Sequence, residues 1–435
     1  MDRLFSSRWF SPAVVLAIIV SVVLAYSNTF DAAFQFDDMP NIVNNGSLRD
    51  LGNIGRVLWN TRGVTYATFA LNYALGGPGP FGFHAVNTAV HIINSVLAYF
   101  ILLATFGLLG WETPRSRMVA AFSALLFALH PVQTQAVTYI IQRMESLSAT
   151  FYLAALLLFI KGAAASTPAK KAALWGLTGL SYVLSFYSKE TAITLPAVVL
   201  LYDFCFISRG GVTEIFRRRW PVYGALAALF VIFTAVTIMP MGGFNDLSDE
   251  SSGATVAQVE APSIGTTAMA KLKRSEATAL SAGFSLKNMS PGKYLTTQFN
   301  VITYYFALFL VPMNQNLDYD FPVATGLFTA PKANHGAALT LPMLPPVVSL
   351  LVLLIIIGYG VYAFARTQKN PSATPRVAAF FIFWFFIIIS PTSSIVPITD
   401  VIYEHRVYLP SLGFFTVFVL CVEAVVSRAL DRRGA

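Results

Sequence analysis

The sequence predicts an all-α polytopic membrane protein, and three observations predict it. Hydrophobic residues make up 56% of its 435 residues and charged residues only 11%. Mean hydropathy is +0.63, outside the balance of a soluble domain. Apolar stretches long enough to span lipid recur from end to end, and they are continuous rather than alternating. Backbone in lipid must be helical or form a closed barrel, and continuous runs exclude the barrel. The net charge of +8 could suggest nucleic acid. Lys and Arg crowding the cytoplasmic loops of a membrane protein explain it better. Cys205 and Cys421 are the only cysteines, and both fall near expected cytoplasmic helix ends. That excludes a disulfide framework and a zinc–cysteine site.

The first apolar run, about 11–27, follows Arg3 and Arg8, which place the N-terminus in the cytoplasm. No small-residue cleavage pattern follows it, so it reads as an uncleaved anchor. Residues 28–82 then form the first extracytoplasmic loop. It carries the adjacent carboxylates Asp37 and Asp38 and an amphipathic stretch, 51–73, suited to lie along the membrane surface. Helices follow at about 83–108, 118–137, 146–161, 173–187, 191–206 and 221–240. The basic residues Arg115, Arg117, Lys161, Lys170, Lys171 and Arg217–Arg219 all fall on the cytoplasmic side of that threading. Residues 241–298 are rich in Ser, Ala and Gly and read as a large outer loop. The apolar run 299–312 is short for a span. If it crossed, Arg366, Lys369, Arg376 and the C-terminal arginines would fall outside, so it reads as re-entrant or interfacial. Helices at about 344–365, 377–392 and 409–427 complete ten crossings with both termini inside. Eleven, with the C-terminus outside, stays open.

With this threading, Asp37, Asp38, Arg62, His130, Arg143, Glu145, Lys189, Glu190, Asp318, Glu404, His405 and Arg406 all map to one side, at helix ends or short loops. A transporter would place ionisable groups near the bilayer midplane, commonly within paired repeats; neither is evident. A one-sided constellation of both signs suits a site working at the membrane surface on a substrate held partly in lipid. A carboxylate there can take a proton from an attacking hydroxyl. Cations can hold a phosphate that gains charge as it leaves. A flippase of lipid-linked sugars, which needs no surface carboxylate, and a non-catalytic scaffold are the other classes open at this point. For single residues the blander roles are a helix cap for the Asp pair, a structural ion pair for Arg143 with Glu145, and a helix-end packing role for His130.

Six blocks sharpen this reading: FQFDDMPNIVNN (34–45), FALNYALGGPGPFGFHAVNTAVH (69–91), LLFALHPVQTQAVTYIIQRMESLSA (125–149), LSFYSKETAITLPAVVLLYD (184–203), LVPMNQNLDYDFP (310–322) and YEHRVYLPSLGF (403–414). Read together and in order, they resemble the membrane region of the transmembrane-and-tetratricopeptide-repeat O-mannosyltransferases and their bacterial relatives, of the GT-C superfamily. The resemblance implies a GT-C fold, a polyprenyl-phosphate sugar as donor, and an acceptor hydroxyl of protein Ser or Thr. Transfer to a glycan or lipid is the nearest alternative. It implies Asp37 as base with Asp38 beside it. It implies substrate or donor-phosphate roles for Arg143, Glu145, Lys189, Glu190, Glu404 and Arg406; Arg62, Asp318, His405 and Tyr408 are further candidate substrate-binding residues. No cofactor is implied; a divalent cation held by His405 and Asp38 is the lesser reading. A bacterial inner membrane, with the site facing the periplasm, is the expected location. Two departures stand out. Gln135 replaces a common Glu, and Thr61-Arg62-Gly63-Val64 replaces a Tyr-Arg-Pro-Leu block. No tetratricopeptide repeats follow, so a separate acceptor-recruiting protein is an expected partner.

Overall fold

The computed structural model describes residues 5–238, 286, 289–332, 339, 342–367 and 374–434. Most of the expected outer loop 241–298 lies outside the described residues. The described chain is helical, with no strand among the described residues. Twelve helices of eight or more residues are described: α1 (Phe10–Ala25), α2 (Gly63–Gly76), α3 (Pro80–Leu108), α4 (Thr113–Leu129), α5 (Arg143–Ala163), α6 (Pro168–Phe186), α7 (Leu195–Tyr202), α8 (Val212–Ile238), α9 (Pro291–Leu310), α10 (Pro346–Thr367), α11 (Thr374–Ile389) and α12 (Ser411–Gly434). Among the described residues, seven segments are long and apolar enough to cross a membrane; α11 is apolar but shorter. The protein is thus an all-α polytopic membrane protein.

Local chemistry sets several boundaries away from the sequence expectation. The helix expected over 118–137 stops at Leu129, because Pro131 lacks an N–H and holds His130 in an extended conformation (φ −69°, ψ 131°). Residues 131–142 instead fold as 3-10 turns around a one-turn helix, Thr134–Thr138. The expected amphipathic stretch 51–73 is broken. A one-turn helix, Ile54–Leu58, ends at Trp59, and Arg62 turns left-handed (φ 60°) before α2 begins. The span Glu190–Ile207 is a 3-10 turn, α7 and a π turn in series. Pro221 lies inside α8, which is kinked at Arg219 (φ −126°). Gly413 lets α12 close on α11: a Cβ there would sit 2.6 Å from the carbonyl oxygen of Phe381.

Basic side chains gather at one end of the bundle. Arg115 pairs with Glu423 at 2.8 Å, and Arg209 donates to the carbonyl of Leu108. Arg376 donates to the carbonyl of Cys205, and buried Arg219 pairs with Asp203 at 2.5 Å. Asp38, Arg62, Lys189, Glu190, Glu404 and His405 collect at the opposite end, through contacts with the loops there. The helix α9 lies across that end. It begins at Pro291, capped by Ser290, and not at 299 as the apolar run suggested. From its start to its finish its partners are the same ends of other helices. Tyr294 donates to the carbonyl of Thr392, Tyr305 to that of Tyr403, and the carbonyl of Phe309 meets His130 Nε2 at 3.1 Å. It therefore forms a floor beneath the loops that follow α4 and α11.

Candidate functional site

The two adjacent carboxylates have opposite surroundings. Asp38 is 1% exposed. Its Oδ1 accepts the backbone N–H of Ile141 at 2.7 Å and its Oδ2 that of Gln35 at 2.9 Å. Burial pushes its carboxyl up to about 6 against those two bonds. Asp38 therefore fastens the loop after α1 to the turn before α5. Asp37 is exposed, and its side chain bonds no described residue. Its backbone is held instead: the N–H donates to the Tyr139 hydroxyl at 2.8 Å, and the carbonyl accepts from Asn41 at 2.9 Å. Phe36, just before it, has φ 37°, a conformation uncommon for a bulky residue. The buried tie and the turned backbone together leave Asp37 facing outward.

The loop after α11 supplies the next wall. The Glu404 carboxylate is buried, and accepts from Gln315 Nε2 at 2.5 Å, from the Asn316 N–H at 3.2 Å and from the Tyr319 hydroxyl. Burial raises its carboxyl above the ordinary range. It anchors the segment after α9 rather than opening to solvent. The backbone N–H of His405 donates to Gln135 Oε1 at 2.8 Å, and its ring stacks on Tyr403 with centroids 5.0 Å apart. Burial, and behind it Lys189, Arg406 and Arg62, hold the imidazole well below its usual pKa. Arg406 folds over Tyr403 and donates to the carbonyls of Val401 and Asp400 at 3.1 and 2.7 Å. Asp400, Asp318 and Asp37 all lie close enough to Tyr403 to add to the upward push that burial gives its phenol. Tyr403 and His405 thus form a stacked pair that feels both the charge of Asp37 and those of Lys189, Arg406 and Arg62.

Two of those cations sit in charge pairs. Lys189 Nζ lies 2.6 Å from Glu145 Oε2, with both side chains buried. Burial lowers the ammonium pKa, with Glu145 opposing. Arg62 Nε reaches both oxygens of Glu190, at 2.9 and 3.1 Å, and its Nη1 reaches Met144 Sδ. Its Nη2 bonds no described residue, and the side chain is 37% exposed. Arg62 is therefore the cation of this group that solvent reaches most readily. The attraction of Glu190 raises the guanidinium further.

Two expected site residues lie elsewhere. Arg143 is fully buried and pairs with neither Glu145 nor solvent. It donates to Asn87 Oδ1 at 2.6 Å and to the carbonyl of Phe83 at 2.9 Å, and lies 4.5 Å over the ring of Phe69. It ties α2, α3 and α5 together beneath the site. Glu145 takes Lys189 as its partner instead. Tyr408 is buried in the bundle. His91 Nε2 faces the carbonyl of Ala128 and must donate to it, so Nδ1 accepts from Tyr408 at 2.7 Å. Asn94 donates to the same hydroxyl at 2.9 Å. Both are positions from which a side chain shapes the site without facing it. Asp318 is exposed at the rim. Among the described residues, no group of three or more His, Cys, Asp or Glu is arranged to hold a metal ion, and Asp38 is committed to backbone amides rather than turned to His405. Sequence reasoning passed over Tyr139 and Tyr403, which position Asp37 and His405. Each stands within four residues of a charge it did select, and inside the same matching block.

No family model matches the chain, and no solved structure matches it. Curated proteins do. The chain is 30% identical over 243 residues to Protein O-mannosyl-transferase TMTC4 of Homo sapiens, covering 50% of this chain and 33% of that protein. It is 33% identical over 214 residues to Protein O-mannosyl-transferase TMTC3 of Mus musculus (45% and 22%). It is 31% identical over 217 residues to Protein O-mannosyl-transferase TMTC1 of Homo sapiens (44% and 24%). The match spans a third or less of each relative's length. The resemblance read from the six blocks is therefore matched by similarity to protein O-mannosyltransferases.

Proposed function

We propose that this protein moves a sugar, a mannose-like hexose, from a polyprenyl-phosphate carrier to a protein Ser or Thr hydroxyl. The reaction occurs at the outer face of the membrane and inverts the anomeric centre. The observation that carries this reading is the exposed carboxylate of Asp37, whose side chain bonds no described residue, at the same end of the protein as Arg62, Lys189 and Arg406. Asp37 takes the proton of the acceptor hydroxyl as its oxygen attacks the anomeric carbon. The bond from that carbon to the phosphate oxygen breaks, and the polyprenyl phosphate leaves with the electron pair. Arg62 holds the departing phosphate, with Lys189 and Arg406 completing the positive field. One displacement with one base inverts configuration, and phosphate leaves without an acid. Asp38, Glu404, Glu145 and Glu190 position these groups, and Arg143 braces the helices below them. The similarity to protein O-mannosyltransferases supports both the chemistry and a protein acceptor. A bacterial inner membrane with the site on the periplasmic side fits the arginine-rich opposite end.

The test is transfer by protein purified into nanodiscs, using polyprenyl-phosphate mannose labelled at its anomeric carbon and Ser/Thr-rich peptides. Glycosylated peptide whose anomeric configuration is opposite to the donor's is the expected product. Retention of configuration would contradict the single displacement. Failure to turn over this donor or other polyprenyl-phosphate sugars would contradict the transferase reading.

A further inference from the structure

We infer that His405 reads the transferred sugar, its Nε2 accepting a hydrogen bond from one ring hydroxyl. This inference rests on the transferase reading above and assigns a specificity-determining residue within it.

The argument starts from Gln135. Its amide is oriented at both ends, because Oε1 accepts the backbone N–H of His405 at 2.8 Å and Nε2 donates to the carbonyl of Leu317 at 2.9 Å. The same Oε1 lies 3.0 Å from His405 Nδ1. An amide oxygen only accepts, so Nδ1 carries the hydrogen. A second proton on the ring is opposed by burial and by Lys189, Arg406 and Arg62. His405 is therefore a neutral imidazole whose Nε2 presents a lone pair. No described residue donates to that nitrogen. A Glu at position 135 would pair with the ring and favour the imidazolium; Gln135 holds the ring in place without that charge.

A lone pair among cations discriminates between ligand groups. Phosphate oxygens also present lone pairs, so they suit Arg62, Lys189 and Arg406 and are rejected by Nε2. A hydroxyl can donate to Nε2. The ring stacks on Tyr403, whose phenol feels the charge of Asp37. The lone pair therefore belongs to the same group of side chains as the proposed base and phosphate cations, and the donor sugar is the hydroxyl-bearing group we assign to it. The orientation selects a group that can donate, attached next to a phosphate.

The test compares polyprenyl-phosphate mannose with its 2-, 3-, 4- and 6-deoxy analogues in wild type, His405→Phe and His405→Gln. In wild type, one analogue should lose about tenfold in kcat/KM, the worth of one hydrogen bond at a buried acceptor. His405→Phe keeps a flat ring on Tyr403 but removes the acceptor. It should lower the parent donor by the same factor and leave that analogue unchanged, while His405→Gln recovers part of the loss. If His405→Phe keeps the wild-type ratio for every analogue, the inference is overturned although the transferase reading stands. If wild type turns over no mannose donor, the transferase reading fails and the inference with it. A second measurement is independent of turnover. The chain has five histidines, so 15N-histidine NMR with His405→Gln for assignment can resolve this one. A pyrrole-type Nδ1 with a pyridine-type Nε2 is expected; the reverse tautomer, or an imidazolium at neutral pH, overturns the inference.

Discussion

The hydroxyl of Tyr139 accepts the backbone N–H of Asp37 at 2.8 Å, across 102 residues of chain. With Asp38 bonded to the N–H groups of Gln35 and Ile141, the loop after α1 is gripped on both sides of the exposed carboxylate. Tyr139 itself is packed in a small apolar cluster with Ile42, Phe69 and Phe83. Tyr139→Phe keeps that packing and removes only the acceptor. The lost bond is worth about 1 kcal/mol, or roughly fivefold. We expect kcat to fall by about that factor with donor affinity unchanged, measured by single-turnover transfer and equilibrium binding. An equal loss in both would mean that the hydroxyl serves the donor and not the base.

Asp38 gives a pH signature. Its folded pKa of about 6 lies above the usual 3.8, so the folded state holds a proton that the unfolded state has released. Its contribution is fully present below 3.8 and is lost as pH rises through about 6, by about 3 kcal/mol. Asp38→Asn has no charge to titrate. The stability difference between wild type and variant, followed by thermal unfolding in detergent, should therefore shift against wild type between pH 4 and 6. A difference that stays flat would remove the assignment of Asp38 as the buried tie.

The pair of Lys189 and Glu145 is buried, so breaking it from one side leaves an uncompensated charge. Lys189→Met should cost about 3–5 kcal/mol, and Lys189→Met with Glu145→Leu should recover most of that. If Lys189 also serves the phosphate, the double variant regains stability but not turnover. Recovery of both would make the pair purely structural.

Most of the fold was legible because apolar length and the placement of arginines are one-dimensional signals. The boundaries that moved did so for local reasons. Pro131 stopped α4 early, Arg62 broke the surface helix, and Ser290 with Pro291 started α9 inside a polar stretch. Which partners the charged residues take was not readable. Glu145 and Arg143 stand two residues apart in sequence, yet point to Lys189 and Asn87. Asp37 and Asp38 are neighbours, and only the bonds to Ile141 and Tyr139 separate the exposed carboxylate from the buried one. Such pairings join segments roughly 40 to 100 residues apart, so no local pattern encodes them.

Arg62 is the most exposed of the three cations near His405 and has one terminal nitrogen without a described partner. Arg62→Met should weaken donor binding about tenfold, the scale of one charge-assisted hydrogen bond. Arg143→Met, by contrast, should act through stability. Titration of donor into nanodisc-held protein separates the two. Unchanged affinity in Arg62→Met would move the phosphate to Arg406 or Lys189.

The central claim is that Asp37 is the base, and Asp37→Asn tests it most directly. The substitution preserves size, and the contact to Tyr139 runs through the backbone. Turnover of polyprenyl-phosphate mannose should fall by about two to four orders of magnitude. Donor affinity and melting temperature should stay at their wild-type values. Wild-type turnover in Asp37→Asn would contradict the account.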